Sequence, residues 1–70
     1  MKMIPVDSTS ISAIGYDHKT GTLRINFLTG STYEYYGVPL EFYEGLMSAS
    51  SKGKYFNLNI KNGGYAYSPV

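Results

Sequence analysis

Residues Thr22-Leu23-Arg24-Ile25-Asn26-Phe27 alternate polar and apolar at every step. That period of two suits an extended strand with one face buried and the other wet. The rest of the chain has to be arranged to cover its apolar side. Ile11 to Tyr16 on one flank and Thr32-Tyr33-Glu34-Tyr35-Tyr36 on the other are rich in β-branched and aromatic residues and read as its neighbours. Asp17-His18-Lys19-Thr20-Gly21 and Leu28-Thr29-Gly30 supply the turns.

Register follows from the requirement that the buried faces coincide. A three-residue loop at Leu28-Thr29-Gly30, with Gly30 left-handed, pairs Ile25 with Tyr33 and Leu23 with Tyr35, and sets Arg24 opposite Glu34. A two-residue loop would place Ile25 against Glu34 and mix the faces, so the longer loop is preferred. A four-residue loop from His18 to Gly21 likewise pairs Tyr16 with Leu23 and Ile14 with Ile25. The predicted inner face is Ile14, Tyr16, Leu23, Ile25, Phe27, Tyr33 and Tyr35; the outer face is Ala13, Gly15, Arg24, Asn26, Glu34 and Tyr36.

Gly37-Val38-Pro39 ends the sheet, with Pro39 suited to a first helical position. Leu40, Tyr43 and Met47, flanked by Phe42 and Leu46, form a broad apolar stripe at helical spacing. After a break at Ser48-Ala49-Ser50-Ser51, a second helix is predicted over about residues 52–61. Ser50 or Ser51 caps it, and Phe56 and Ile60 face inward. Asn62-Gly63-Gly64 stops it, and Tyr65-Ala66-Tyr67 forms an extended tail able to add an edge strand. The expected fold class is α+β: a three-stranded antiparallel meander with two short helices on one face, in a single domain spanning residues 1–70.

Seventy residues without a cysteine must hold together by packing alone, which favours a homo-oligomer, dimer or higher, and fits a reducing cytoplasm. No signal peptide is apparent, and no stretch approaches the roughly 20 apolar residues needed to span a bilayer, so no membrane partner is expected. Six Lys plus Arg against five Asp plus Glu leave a net charge of +1, without the basic stripe of long nucleic-acid binders.

Catalysis has little support. His18 lies in a hairpin turn, the carboxylates are scattered, and no serine has a credible base nearby. Glu41 and Glu44 share a helix turn but lack the further oxygen ligands a divalent ion needs, so they read as a solvated face. No enzyme, metal site or cofactor is expected.

The segment Ser51-Lys52-Gly53-Lys54-Tyr55 is more suggestive. A serine-capped helix start offers free N–H groups to an anionic oxygen, Gly53 permits close approach, and Lys52 and Lys54 add charge. The segment lacks the preceding glycines of a phosphate loop, and by itself it reads first as a plain helix cap with solvated lysines. Tyr36, Tyr55, Tyr65 and Tyr67 need not all be core, and exposed rings near cations can stack on bases. Asn57, Asn59 and Asn62 could read a base edge or be polar surface. The candidate ligand set is Ser51, Lys52, Gly53, Lys54, Tyr55, Asn57, Lys61, Arg24 and Tyr36.

Tyr33-Glu34-Tyr35 resembles the central tyrosine-x-tyrosine signature of the KTSC domain family. Val38-Pro39, the leucine-bearing helix, Ser51-x-Gly53-x-Tyr55-Phe56-Asn57 with Ile60, and Tyr65-x-Tyr67 are similar to the rest of its pattern across about residues 4–70. The resemblance implies a free-standing copy of a domain found in bacterial and phage-borne proteins, and at the carboxyl end of some lysyl-tRNA synthetases. That setting suggests RNA binding and supplies no catalytic residues. The function expected first is sponge-like capture of a small nucleotide-type ligand, as in phage counter-defence. RNA or tRNA binding is the alternative, and a protein-interaction module the third reading.

Overall fold

The computed structural model describes residues 1–70. Its sheet has five antiparallel strands in chain order: β1 (Met3–Pro5), β2 (Ile11–Asp17), β3 (Thr22–Phe27), β4 (Thr32–Tyr35) and β5 (Tyr67–Pro69). Helices α1 (Leu40–Ser48) and α2 (Lys52–Asn59) and a 3₁₀ turn (Lys61–Gly63) lie between β4 and β5. The three-strand expectation is thus corrected to five. The added strands are three residues long and sit at the two edges. Each contains a proline, Pro5 or Pro69, whose missing N–H an edge position tolerates. The tail does join the sheet, through Tyr67–Pro69 and not through Tyr65.

The central register is the predicted one. Ile25 pairs with Tyr33, Leu23 with Tyr35, Arg24 with Glu34, Ile14 with Ile25 and Tyr16 with Leu23. The turns close as the loop lengths require: Gly30 has φ 98° and Gly21 φ 73°, both in the left-handed region that glycine enters without penalty. The Asp17 carboxylate accepts the Lys19 N–H at 2.9 Å, which holds the Asp17 carboxyl below its ordinary range.

One departure enlarges the core. Ile11 pairs with Phe27 while Ala13 pairs with the adjacent Asn26, so β2 carries one extra residue, Ser12. Strict alternation would turn Ile11 away from Ile14's face, whereas this bulge returns it inward. Ile11 and Ile14 are both fully buried. The Ser12 hydroxyl donates to the Asn26 carbonyl at 3.1 Å across the irregularity.

The core comprises Ile11, Ile14, Leu23, Ile25, Tyr35, Val38, Leu46, Phe56 and Ile60. Of the predicted α1 stripe, Leu46 is buried, Phe42, Tyr43 and Met47 pack at its margin, and Leu40 is exposed. Pro39 is the N-cap of α1 and not its first residue, its ψ of 148° being extended. In α2, Phe56 faces the core, and Ile60 does so just beyond the last helical residue, Asn59. This helix stops short of the predicted Lys61, and the 3₁₀ turn with Gly64 at φ 82° sends the chain back to the sheet. An ideal Cβ on Gly45 would overlap the Tyr55 hydroxyl and ring, so Gly45 is what lets α2 lie close on α1.

The outer face is polar and tied across strands. Arg24 donates to one oxygen of Glu34 from Nε at 2.8 Å and from Nη2 at 2.5 Å. Tyr36, one residue past the end of β4, shares a 2.6 Å hydrogen bond with Ser68 and donates to the other Glu34 oxygen at 3.3 Å. Gly15 is buried on this face beneath Met1 and Met3.

Candidate functional site

The nine candidate residues do not converge on one place. Ser51 caps α2, its hydroxyl accepting the Lys54 N–H at 3.4 Å. With Asp7, Ser8, Thr9, Ser50, Lys52 and Gly53 it lines a polar hollow of about 250 Å³. The chain itself occupies much of what an anion would need there. An ideal Cβ on Gly53 would sit 2.7 Å from the Ser10 hydroxyl, so the closest approach to that glycine is taken by the segment before β2. Lys52 turns back to donate to the Ala49 carbonyl at 3.0 Å, and Asp7 places a negative charge in the wall. Tyr55 packs on Gly45, Lys54 is exposed, and Arg24 and Tyr36 belong to the outer-face network.

Asn57 and Lys61 go elsewhere, to a larger groove of about 470 Å³ at the open end of the inner face. Its construction follows from β-sheet geometry. Tyr33 and Tyr35 are two apart on β4 and so share a face, and Tyr67 on β5 lies directly opposite Tyr35. Phe27 closes the same face on β3, and Phe56 reaches in from α2. Neighbouring rings are in contact throughout. Phe56 meets Tyr35 at 5.3 Å and Phe27 at 5.5 Å, both edge-on, while Tyr35 and Tyr67 stack at 5.5 Å with 28° between planes. Phe56 and Tyr35 form a nearly buried floor; Tyr67, 61% exposed, forms an open wall.

Polar groups rim this aromatic surface. Thr29 and Ser31 come from the β3–β4 turn, Asn57 from α2, and Lys61 and Asn62 from the 3₁₀ turn. The Tyr16 hydroxyl is committed to the Val38 carbonyl at 2.5 Å, and that of Tyr36 to Ser68. Those of Tyr33, Tyr35 and Tyr67 have no partner inside the chain, and none is sealed from solvent. Burial raises the Tyr35 phenol above its ordinary value of 10.0, and the nearby Tyr67 and Tyr33 phenols add to the shift. At neutral pH it is therefore an uncharged hydroxyl, able to donate or accept.

The groove can hold a flat aromatic ring against tyrosine faces, bond its edges through phenols and amides, and place one cation beside it. Sequence reasoning placed Tyr33 and Tyr35 on the inner face beneath the helices and did not include them among the candidate ligand residues. The available signal was their chemistry: hydroxyls on an inner face need an opening or a partner. His18 packs edge-on against Tyr16 at 5.1 Å and has no carboxylate partner.

Comparison with known proteins places the whole architecture. A solved KTSC domain protein from Yersinia pestis superposes with a TM-score of 0.90 at 36% identity, over 99% of this chain and 96% of that one. A protein of Tsukamurella paurometabola is 42% identical over 59 residues, covering 84% of this chain and 88% of its own length. A lysine–tRNA ligase of Nostoc punctiforme is also 42% identical over 59 residues, but they make up only 10% of that enzyme. The KTSC domain pattern matches residues 7–65, a span that runs from the start of the polar hollow to the return toward β5, and with this agreement of sequence and fold the chain belongs to the KTSC domain family.

Proposed function

We propose that this domain is a non-catalytic binding module whose ligand is of nucleotide type, held in the aromatic groove between β4, β5 and α2. The supporting observation is the coincidence of contiguous tyrosine and phenylalanine rings, three uncommitted phenols and a single lysine in one concavity. A base stacks against Tyr67, phenols and the Asn57 and Asn62 amides bond its edges, and Lys61 takes the phosphate. The expected anion site at the start of α2 is set aside as the principal site, because Ser10, Asp7 and the engaged Lys52 work against it. Groove size supports a small ligand: about 470 Å³ falls within the roughly 300–1,000 Å³ of small-molecule sites.

RNA binding is the second reading, favoured by the lysine–tRNA ligases of which a tenth resembles this chain. A net charge of +1 limits how many phosphates a longer strand could contact. Titration calorimetry with AMP on the wild type and Tyr67→Ala tests the groove. Base stacking on one ring is worth about 1–3 kcal/mol, so the variant is expected to bind roughly 5- to 150-fold more weakly. Its melting temperature should hardly move, because the ring is largely exposed. Unchanged AMP affinity in Tyr67→Ala would refute the assignment, and RNA affinity falling steeply with salt would favour the second reading.

A further inference from the structure

Resting on the groove as a nucleotide site, we propose that it is built for a unit carrying a single phosphate, and that further phosphates of a nucleoside di- or triphosphate gain nothing from it. The charges that the groove presents set this limit. Lys61 is the one charged side chain in the lining. It is also unclaimed, since the chain's ion pair joins Arg24 to Glu34 on the opposite face of the sheet. No second cation stands beside it: Lys2 precedes β1 at the opposite edge of the sheet, Lys52 is tied to the Ala49 carbonyl at the far hollow, Lys19 lies in the β2–β3 turn, and Arg24 is neutralised by Glu34. Lys54 points from the first turn of α2 and does not line the groove.

The remaining polar groups are neutral. Tyr35 keeps its proton at neutral pH, and the hydroxyls and amides of the rim bear no charge. Nor does any carboxylate line the groove, so the protein provides no oxygen anion to hold a divalent cation against a pyrophosphate. One phosphate finds one ammonium and several hydrogen-bond donors; a second and third find only solvent. A nucleoside monophosphate presents one phosphate per base, and so does each internal nucleotide of single-stranded RNA.

Titration calorimetry with adenosine, AMP, ADP and ATP, with the guanine, cytosine and uracil series alongside, reads the count directly. AMP is expected to bind about 10- to 100-fold more tightly than adenosine, the range of one charge-assisted hydrogen bond, with ADP and ATP within a few-fold of AMP. Lys61→Gln should bring AMP down to adenosine's affinity and leave adenosine unchanged, a pattern that misfolding would not give. Affinity rising stepwise from AMP to ATP, or an AMP-to-adenosine gap surviving in Lys61→Gln, would overturn the single-phosphate proposal while leaving the groove a nucleotide site. Absence of binding by every nucleoside and nucleotide in the set would overturn both. A single-stranded hexaribonucleotide that outcompetes the monophosphates names RNA as the source of the unit; one that does not names the free nucleotide.

Discussion

Replacing Ile11 by alanine asks whether the bulge at Ser12 governs the core. In a strand alternating regularly from Ile14, Ile11 would face solvent, and its loss would be felt by no more than about 0.5 kcal/mol. With Ser12 as the extra residue, Ile11 is fully buried opposite Phe27. Truncating a fully buried isoleucine costs about 2–5 kcal/mol, and we take about 3 here because one side of the site borders the groove-lining Phe27 and can relax. A chain of 70 residues holds roughly 4–10 kcal/mol of total stability, so this single change removes about 30–75% of it. At about 4–8 °C per kcal/mol for a domain of this size, the melting temperature should fall by roughly 12–24 °C. Ile11→Val, at about 1 kcal/mol, gives a measurable step should the alanine variant be mostly unfolded. Urea denaturation followed by circular dichroism, with thermal melts in parallel, measures both. An Ile11→Ala variant as stable as wild type within about 0.5 kcal/mol would mean that β2 runs without the bulge, and the reasoning about the core would fail.

Two further changes probe the helix contact and the groove floor. Gly45→Ala should destabilise the domain although alanine is the better helix former by about 1 kcal/mol, because its methyl group takes the place of the Tyr55 hydroxyl and ring. In the Tyr55→Ala background the same change should turn stabilising, and a double-mutant cycle showing no coupling would contradict the packing described. Tyr35 has a folded-state pKa above its unfolded value of 10.0. Its contribution is complete below about pH 10 and is lost as pH rises through the folded pKa, where the unfolded chain releases the proton first. Stability measured by urea titration should therefore fall above pH 10, and Tyr35→Phe should flatten part of that fall; an unaltered alkaline slope would refute it.

The centre of the sheet was legible because three signals agreed on it. The alternation of β3, the matching apolar positions of its neighbours, and glycines at the left-handed turn positions each demand the same register. The edges were legible only in part: the tail after Gly64 read as able to add a strand, but three residues with a proline carry no periodicity, so β1 was missed and the bounds of β5 were set by the ladder that β4 offers. Nor did the spacing of Ile11 and Ile14 announce an inserted residue, since a bulge looks like a broken pattern until the partner strand is known. Of the candidate ligand residues, Asn57 and Lys61 line the groove, whereas Ser51, Lys52, Gly53, Lys54, Tyr55, Arg24 and Tyr36 do not. Helix α2 accounts for both halves of that outcome. Its start leans on the segment before β2, and its one buried residue, Phe56, with Ile60 just past its end, is too little to roof the tyrosines of β4 and β5.

Strand order also sets how this fold can be joined to other polypeptides. The chain enters the sheet at β1 and crosses it strand by strand, so Tyr67 stands at the margin opposite Met3. A catalytic body attached upstream would meet the domain along its first strand, with the width of the sheet between that junction and the stacked rings. Such a fusion leaves the groove mouth unshadowed, whereas residues added after Val70 would emerge next to it and could close over whatever it holds.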